Sequence, residues 1–274
     1  MKCADAGSGP AWPVVLFGDD FTGPLDRSKW NVRPTDRIVN HEQQAYVDEP
    51  STVYVQPGAP GAEGAVLALH PRYRPGAAEI DGVRLDFVSG RIDTRDHFAF
   101  TYGTASARIR LPAGAGVWPA FWALGMGSWP DCGEIDIMEC VGEPDWVSAA
   151  VHGPGYSGEE GLVNKHFFSG DGATGWHVYT ARWGPDEIVF EVDGMTAYRV
   201  TRPMVGFFGE WAFDNDKFLI LNVAVGGVYP FKTNGIHLPY YGVAAETVRA
   251  IEAGKVRMLV DWVRVDSPPP VTGS

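Results

Sequence analysis

Gly133-Glu134-Ile135-Asp136-Ile137-Met138-Glu139-Cys140 places three carboxylates among apolar side chains in one short run. Side chains along an extended strand alternate between its two faces. Glu134 and Asp136 then share one face, and Ile135 and Ile137 share the other. Strict continuation would put Met138 with the acids and turn Glu139 toward the apolar side, where a lone buried carboxylate is costly. One extra residue near Met138, a β-bulge, returns Glu139 to the face of Glu134 and Asp136. The spacing predicts a bulged strand with three acids on one side.

Such an arrangement has three readings. It can be a solvated acidic face, a calcium-binding cluster, or a pair of reacting carboxyl groups with a third beside them. A retaining glycosidase needs two carboxyl groups about 5–5.5 Å apart, one to attack the anomeric carbon and one to protonate the leaving oxygen. Asp136 between them would raise the acid's pKa or share a proton with the nucleophile. Two features favour the catalytic reading. Trp118, Trp122 and Trp129 lie close by in sequence, and the isoleucine face implies a strand packed centrally. Trp118 and Trp122 are four apart on a predicted strand, so they share a face, for core packing or for stacking on a sugar ring. Trp129 divides evenly between the same two roles.

Outward from this strand the chain reads as all-β. Gly (34) and Pro (21) punctuate short apolar runs throughout the 274 residues, the pattern of many strands and tight turns. Predicted strands include 53–55, 66–69, 105–111, 147–152, 218–225 and 257–265. Residues 177–183, 187–192 and 196–201 form a three-strand meander with turns at Gly184-Pro185-Asp186 and Asp193-Gly194. One helix is expected over 243–253, with Ala244, Ala245, Val248 and Ile251 on one face and Gly254 ending it. Many short strands and almost no helix point to a β-sandwich or jelly roll. The expected organisation is a flexible lead over 1–12, a single domain over 13–267 and a loose tail over 268–274.

A net charge of -12 with no basic stripe repels phosphate backbones and anionic lipid. Nucleic acid and membrane are therefore poor partners, and no run of 18 apolar residues marks a membrane span. A neutral glycan is compatible with this field. Cys3, Cys132 and Cys140 are odd in number. Across the predicted strand Cys132 and Cys140 would stand roughly 25 Å apart, beyond the reach of a disulfide. His166, His177 and His237 show no metal spacing, and Gly226-Gly227 lacks the following helix of a phosphate loop. Asn222 sits in an apolar run and needs hydrogen-bond partners, either structural or in a cleft.

The motif GEIDIMECVG, preceded by WPAFWALG and followed by VHGPGYSG, resembles glycoside hydrolase family 16. Met138 before the last Glu is similar to the laminarinase, or endo-β-1,3-glucanase, branch. The likeness extends from FGDDF near Phe17 through YGTASARIRLP, WHVYTARWGPDEIVFEVDG and FLILNVAVGG to LVDWVRV. It implies a jelly roll of two curved antiparallel sheets with a concave cleft, in which a monomer hydrolyses internal β-1,3 or mixed β-1,3-1,4 linkages by double displacement. Glu134 would be the nucleophile, Asp136 the assisting acid and Glu139 the general acid/base. Asn40, Arg91, Trp118, Trp122, Trp129, His152 and Asn222 would contact substrate. No cofactor is expected for catalysis. A structural calcium is common in the family; Asp261 matches its side-chain ligand, with Asp19 and Gly64 as weaker matches. Action outside the cell or in its envelope is a family-level expectation. The alternatives are another β-glycan, such as a galactan, transglycosylation, or a glucan-binding protein without turnover. The chain departs from the family pattern at 40–58, at an insertion over 229–255, and at Trp146, where a small polar residue is expected.

Overall fold

The computed structural model describes residues 13–170 and 172–268. Cys3, the lead segment 1–12 and residues 269–274 of the expected tail lie outside them. In chain order the strands are β1 (Val15–Asp19), β2 (Asn31–Val32), β3 (Gln44–Tyr46), β4 (Val53–Gln56), β5 (Val66–Leu69) and β6 (Arg72–Ile80). They continue with β7 (Val83–Ser89), β8 (Arg91–Asp93), β9 (Gly103–Arg110), β10 (Val117–Gly125), β11 (Glu134–Glu139) and β12 (Trp146–His152). The last six are β13 (Leu162–Phe167), β14 (Trp176–Trp183), β15 (Glu187–Val192), β16 (Met195–Thr201), β17 (Lys217–Val225) and β18 (Met258–Asp266).

Two large sheets result. One runs β16-β15-β14-β9-β18-β5-β4, with β1 also paired to β18; the other runs β13-β12-β11-β10-β17-β8-β2. A small third sheet, β3-β7-β6, contains the one parallel pair among the described residues, β3 with β7. The core lies where alternating residues of the two large sheets meet. Phe121, Ile135, Leu219 and Leu221 come from the second sheet, and Ala107, Ile109, Tyr179 and Val263 from the first. This is the predicted jelly-roll sandwich, and the 177–201 meander is β14-β15-β16.

Strand β17 shows how the functional face is made. All nine of its residues are buried. Leu219, Leu221, Val223 and Val225 enter the core. Asn222 and its face-mates lie on the opposite side, under groups from neighbouring strands.

The predicted bulge is present. Against β10, Phe121 pairs with Met138 and Trp122 with Asp136, so Ile137 is the extra residue. Against β12 the register slips between Asp136 and Glu139. Ile137 and Met138 are adjacent yet both belong to the core, at 4% and 0% exposure. Strict alternation forbids that; the bulge permits it and leaves Glu139 on the acid face.

The helices differ from expectation. The expected one forms as α3 (Ala245–Glu252), after α1 (Arg202–Val205) and α2 (Val228–Asn234), which the sequence pattern did not mark. Gly254 adopts the left-handed conformation that ends α3 (φ +68°). Ala245 is exposed, contrary to expectation, and Thr247 is buried in its stead. The reason is polar: Thr247 Oγ1 donates to the Ala115 carbonyl at 3.0 Å. Cys132 and Cys140 are free and buried.

Candidate active site

The site is assembled on three neighbouring strands. Glu134 of β11 stands opposite His152 of β12. Asp136 stands opposite Trp122 of β10, and Glu139 opposite Ala120. Paired residues project to the same face, so the three acids, Trp122 and His152 share one surface. Glu134, Asp136 and His152 bring ligating atoms within 4.8 Å of one another. His152 Nε2 lies 3.2 Å from Asp136 Oδ2, off hydrogen-bond alignment. At the far end of the strand, Trp118 Nε1 donates to Glu139 Oε1 at 2.9 Å.

Burial sets the electrostatics. Removal from water lifts the Glu134 carboxyl well above the ordinary range; Asp136 and Glu139 push it further, while His152 and the indole of Trp129 oppose the shift. Asp136 is raised to about 7 by burial, opposed by its contact with Glu134. Glu139 is raised to about 8 by burial and the charge of Asp136, opposed by the Trp118 N–H. Three acids in one dry site cannot all ionise at neutral pH. Glu139 therefore holds a proton at pH 7. Glu134 and Asp136 are in contact and can share one proton, and the imidazole of His152 and the indole of Trp129 favour the charged form of Glu134.

A second polar chain fixes the floor. Trp122 Nε1 donates to Asn222 Oδ1 at 2.7 Å, Asn222 Nδ2 to the Tyr46 hydroxyl at 3.0 Å, and that hydroxyl to Glu42 Oε2 at 3.4 Å. Gln44 Nε2 also donates to Glu42, at 2.7 Å. The Arg91 guanidinium lies 5.2 Å over the Trp122 ring, and its buried Nε has no partner. Asn40 has positive φ (52°) and its carbonyl accepts from Val228 N at 2.8 Å. It borders the Trp118 end of the site: a Cβ on Gly227 would lie 2.9 Å from Asn40 O and 3.4 Å from Trp118. Trp129 is half exposed, its ring 6.5 Å from His152.

All seven expected contact residues thus border the carboxylate strand or its floor. Glu42, Tyr46 and Tyr229 were not anticipated. Tyr229 packs edge-on against Trp118 at 5.6 Å, and its hydroxyl donates to Ser148 Oγ at 3.0 Å. Trp146, the departure from the family pattern, is buried 6.4 Å from Tyr229 and capped by Lys165 at 3.6 Å. It supports that aromatic wall. The signal for Tyr46 was weak: Gln44 and Tyr46 alternate, but in a strand of three residues.

The expected calcium ligands do not fit a calcium site as they are held. Asp261 accepts from Arg108 and from the Glu63 N–H at 3.0 Å, and Arg108 also reaches the Gly61 carbonyl at 2.9 Å. Asp19 accepts from Phe21 N at 3.0 Å and Trp30 Nε1 at 2.8 Å. Calcium requires roughly six to eight oxygen ligands. Both carboxylates are committed to N–H donors, a guanidinium already supplies positive charge at Asp261, and no bond from Gly64 completes the set.

Residues 42–226 match the profile of glycosyl hydrolases family 16. The chain belongs to this family. It is 32% identical over 270 residues to the beta-glucanase of Rhodothermus marinus, covering 93% of this chain and 85% of that protein. It is 33% identical over 243 residues to glucan endo-1,3-beta-glucosidase A1 of Niallia circulans, covering 78% of this chain and 34% of that longer protein. Among solved structures, the endo-beta-1,3-glucanase of Pyrococcus furiosus superposes with a TM-score of 0.78 at 32% identity, over 93% and 94% of the two chains. The jelly roll and the place of the chain among glycoside hydrolases rest on these likenesses together with the site itself.

Proposed function

We propose that this family 16 chain is a retaining endo-β-1,3-glucanase with Glu134 as nucleophile, Glu139 as general acid/base and Asp136 as the group that orders the nucleophile's proton. The observation that carries this reading is the bulge at Ile137-Met138, which returns Glu139 to the face of Glu134. Glu134 attacks the anomeric carbon while Glu139 delivers its proton to the glycosidic oxygen. The C–O bond to the leaving sugar breaks, and a glycosyl ester forms on Glu134. Glu139, now ionised, takes a proton from water. The resulting oxygen nucleophile attacks the same carbon, releases Glu134 and restores the configuration.

The protonated state of Glu139 at pH 7 suits the first step, and Trp118 stabilises the anion that step creates. Asp136 can hand its shared proton toward or away from Glu134 as charge develops there. Trp122, fixed by Asn222 and overlain by Arg91, offers a ring face for a sugar. The names of the relatives support the β-1,3 linkage. A polymer of that kind does not cross membranes, which supports action outside the cytoplasm.

Glu134→Gln tests the assignment. The variant keeps shape and loses the attacking charge, so release of reducing ends from laminarin should fall by about 10⁴-fold or more while retention on a laminarin affinity gel persists. A variant retaining most of its turnover would remove Glu134 from the mechanism. Product analysis on laminarin, mixed-linkage glucan and a galactan fixes the linkage. Binding of glucan with no product from any of them would identify a recognition protein.

A further inference from the structure

Lys217 is fully buried at the first position of β17. Its ammonium has three hydrogens, and three neutral oxygens receive them: Cys132 O at 2.8 Å, Ala212 O at 3.1 Å and Asn215 Oδ1 at 2.8 Å. The rings of Trp183 and Phe213 lie 5.6 and 5.4 Å from it. A buried cation is costly, and the rest of β17 is apolar apart from Asn222. Packing alone would be served by Leu or Met, so the charge has a task in holding those oxygens.

What it holds is the backbone immediately before the nucleophile. Cys132 O belongs to the peptide that joins Gly133, and Glu134 follows. Gly133 has φ +69°, and a Cβ there would lie 2.1 Å from Ala212 O and 3.0 Å from Lys217 Nζ. Gly125, directly across β10 from Lys217, has equally little room: its Cβ would meet Cys132 O at 2.1 Å. Gly125 N in turn donates to Gly133 O at 3.1 Å. The turn into β11 is thus gripped between the ends of β10 and β17, with the Lys217 side chain bonding the turn's backbone from the β17 side.

We propose that Lys217 is a positioning residue for Glu134, its ammonium clamping the Cys132–Gly133 peptide from which the Glu134 side chain springs. The inference rests on the reading of Glu134 as nucleophile. Rotation about Gly133 would swing the Glu134 carboxylate off the anomeric carbon while leaving Asp136, Glu139 and the stacking rings on their own strands in place. Burial pulls the ammonium down to about 8, against the charges of Cys132, Asp214 and Glu134, so the charged form predominates at neutral pH.

The experiment compares Lys217→Met and Asn215→Ala with the unaltered enzyme on laminarin and on a 2,4-dinitrophenyl β-laminaribioside. The aryl substrate needs no proton from Glu139, so its turnover reports nucleophile attack. Lys217→Met should lower kcat by about 10–100-fold on both substrates, with KM within about twofold. Asn215→Ala, which removes one acceptor and keeps the lysine, should lower kcat by a smaller factor on both. If Lys217→Met yields no folded protein, Asn215→Ala decides alone. Lower thermal stability with kcat unchanged, or a rise in KM alone, would overturn the proposal and leave Lys217 a structural residue. The Glu134→Gln result separates the two layers. An active Glu134→Gln removes the nucleophile assignment itself; an inactive one beside a normal Lys217→Met removes only the clamp.

Discussion

Glu139 shows how a single indole can tune an acid. Burial raises its carboxyl to about 8, and the Trp118 N–H opposes that rise by bonding the ionised form. Trp118→Phe keeps an aromatic ring against Tyr229 and removes the donor. The ionised form of Glu139 is then less stable, so its pKa rises further. The alkaline limb of kcat/KM, where the acid loses its proton, should move to higher pH by about half a unit to one unit. An alkaline limb that stays in place would show that Glu139 is not the titrating acid. At this scale the acids were legible in the sequence because all three sit on one strand, where alternation and the cost of burying a lone carboxylate leave few arrangements. Their partners were less so. Tyr229 lies in the segment that departs from the family pattern, and nothing local in its sequence points at Trp118.

Among the elements, β11 carries the decisive irregularity. Deleting Met138 removes the extra residue and restores strict alternation, which moves Glu139 into the vacated position on the face of Glu134 and Asp136 without a bulge. The expected outcome is a variant that still hydrolyses laminarin but loses about 2–5 kcal/mol in a urea denaturation, because the buried Met138 side chain leaves the core. A folded deletion variant without laminarin hydrolysis would mean that the bulge does more than set the face of Glu139. The bulge and the β14-β15-β16 meander were readable from period-2 patterning and turn residues. Strand β6 was not: Pro75 and Gly76 interrupt it, and its pairing with β7 jumps from Tyr73 to Ala78. Helix α2 has Pro230 near its start and only seven residues, too short to show an apolar face. Helix α3 was found, but its buried face was misjudged, since Thr247 goes inward for a hydrogen bond that hydrophobicity does not register.

Across the whole molecule, long-range polar links hold the floor of the site. Tyr46 and Asn222 are 176 residues apart in sequence and 3.0 Å apart in space. Tyr46→Phe would leave Asn222 Nδ2 and Glu42 without that hydroxyl, at a cost of about 1–3 kcal/mol, and would free the Trp122 ring. KM for laminarin should rise more than kcat falls; unchanged KM would separate this chain from substrate binding. No sequence window spans such a link, so it was invisible before the fold was known. The other engagements of the expected calcium ligands were hidden for a related reason. Asp261 could be placed by its motif, but the guanidinium that reaches it comes from β9, far along the chain. Because the two carboxylates proposed to react ride on one strand fixed between two hydrogen-bonded neighbours, insertions in the surrounding loops can remodel which polymer is admitted without disturbing the distance between those groups. Diversification of diet is thereby uncoupled from the act of cutting.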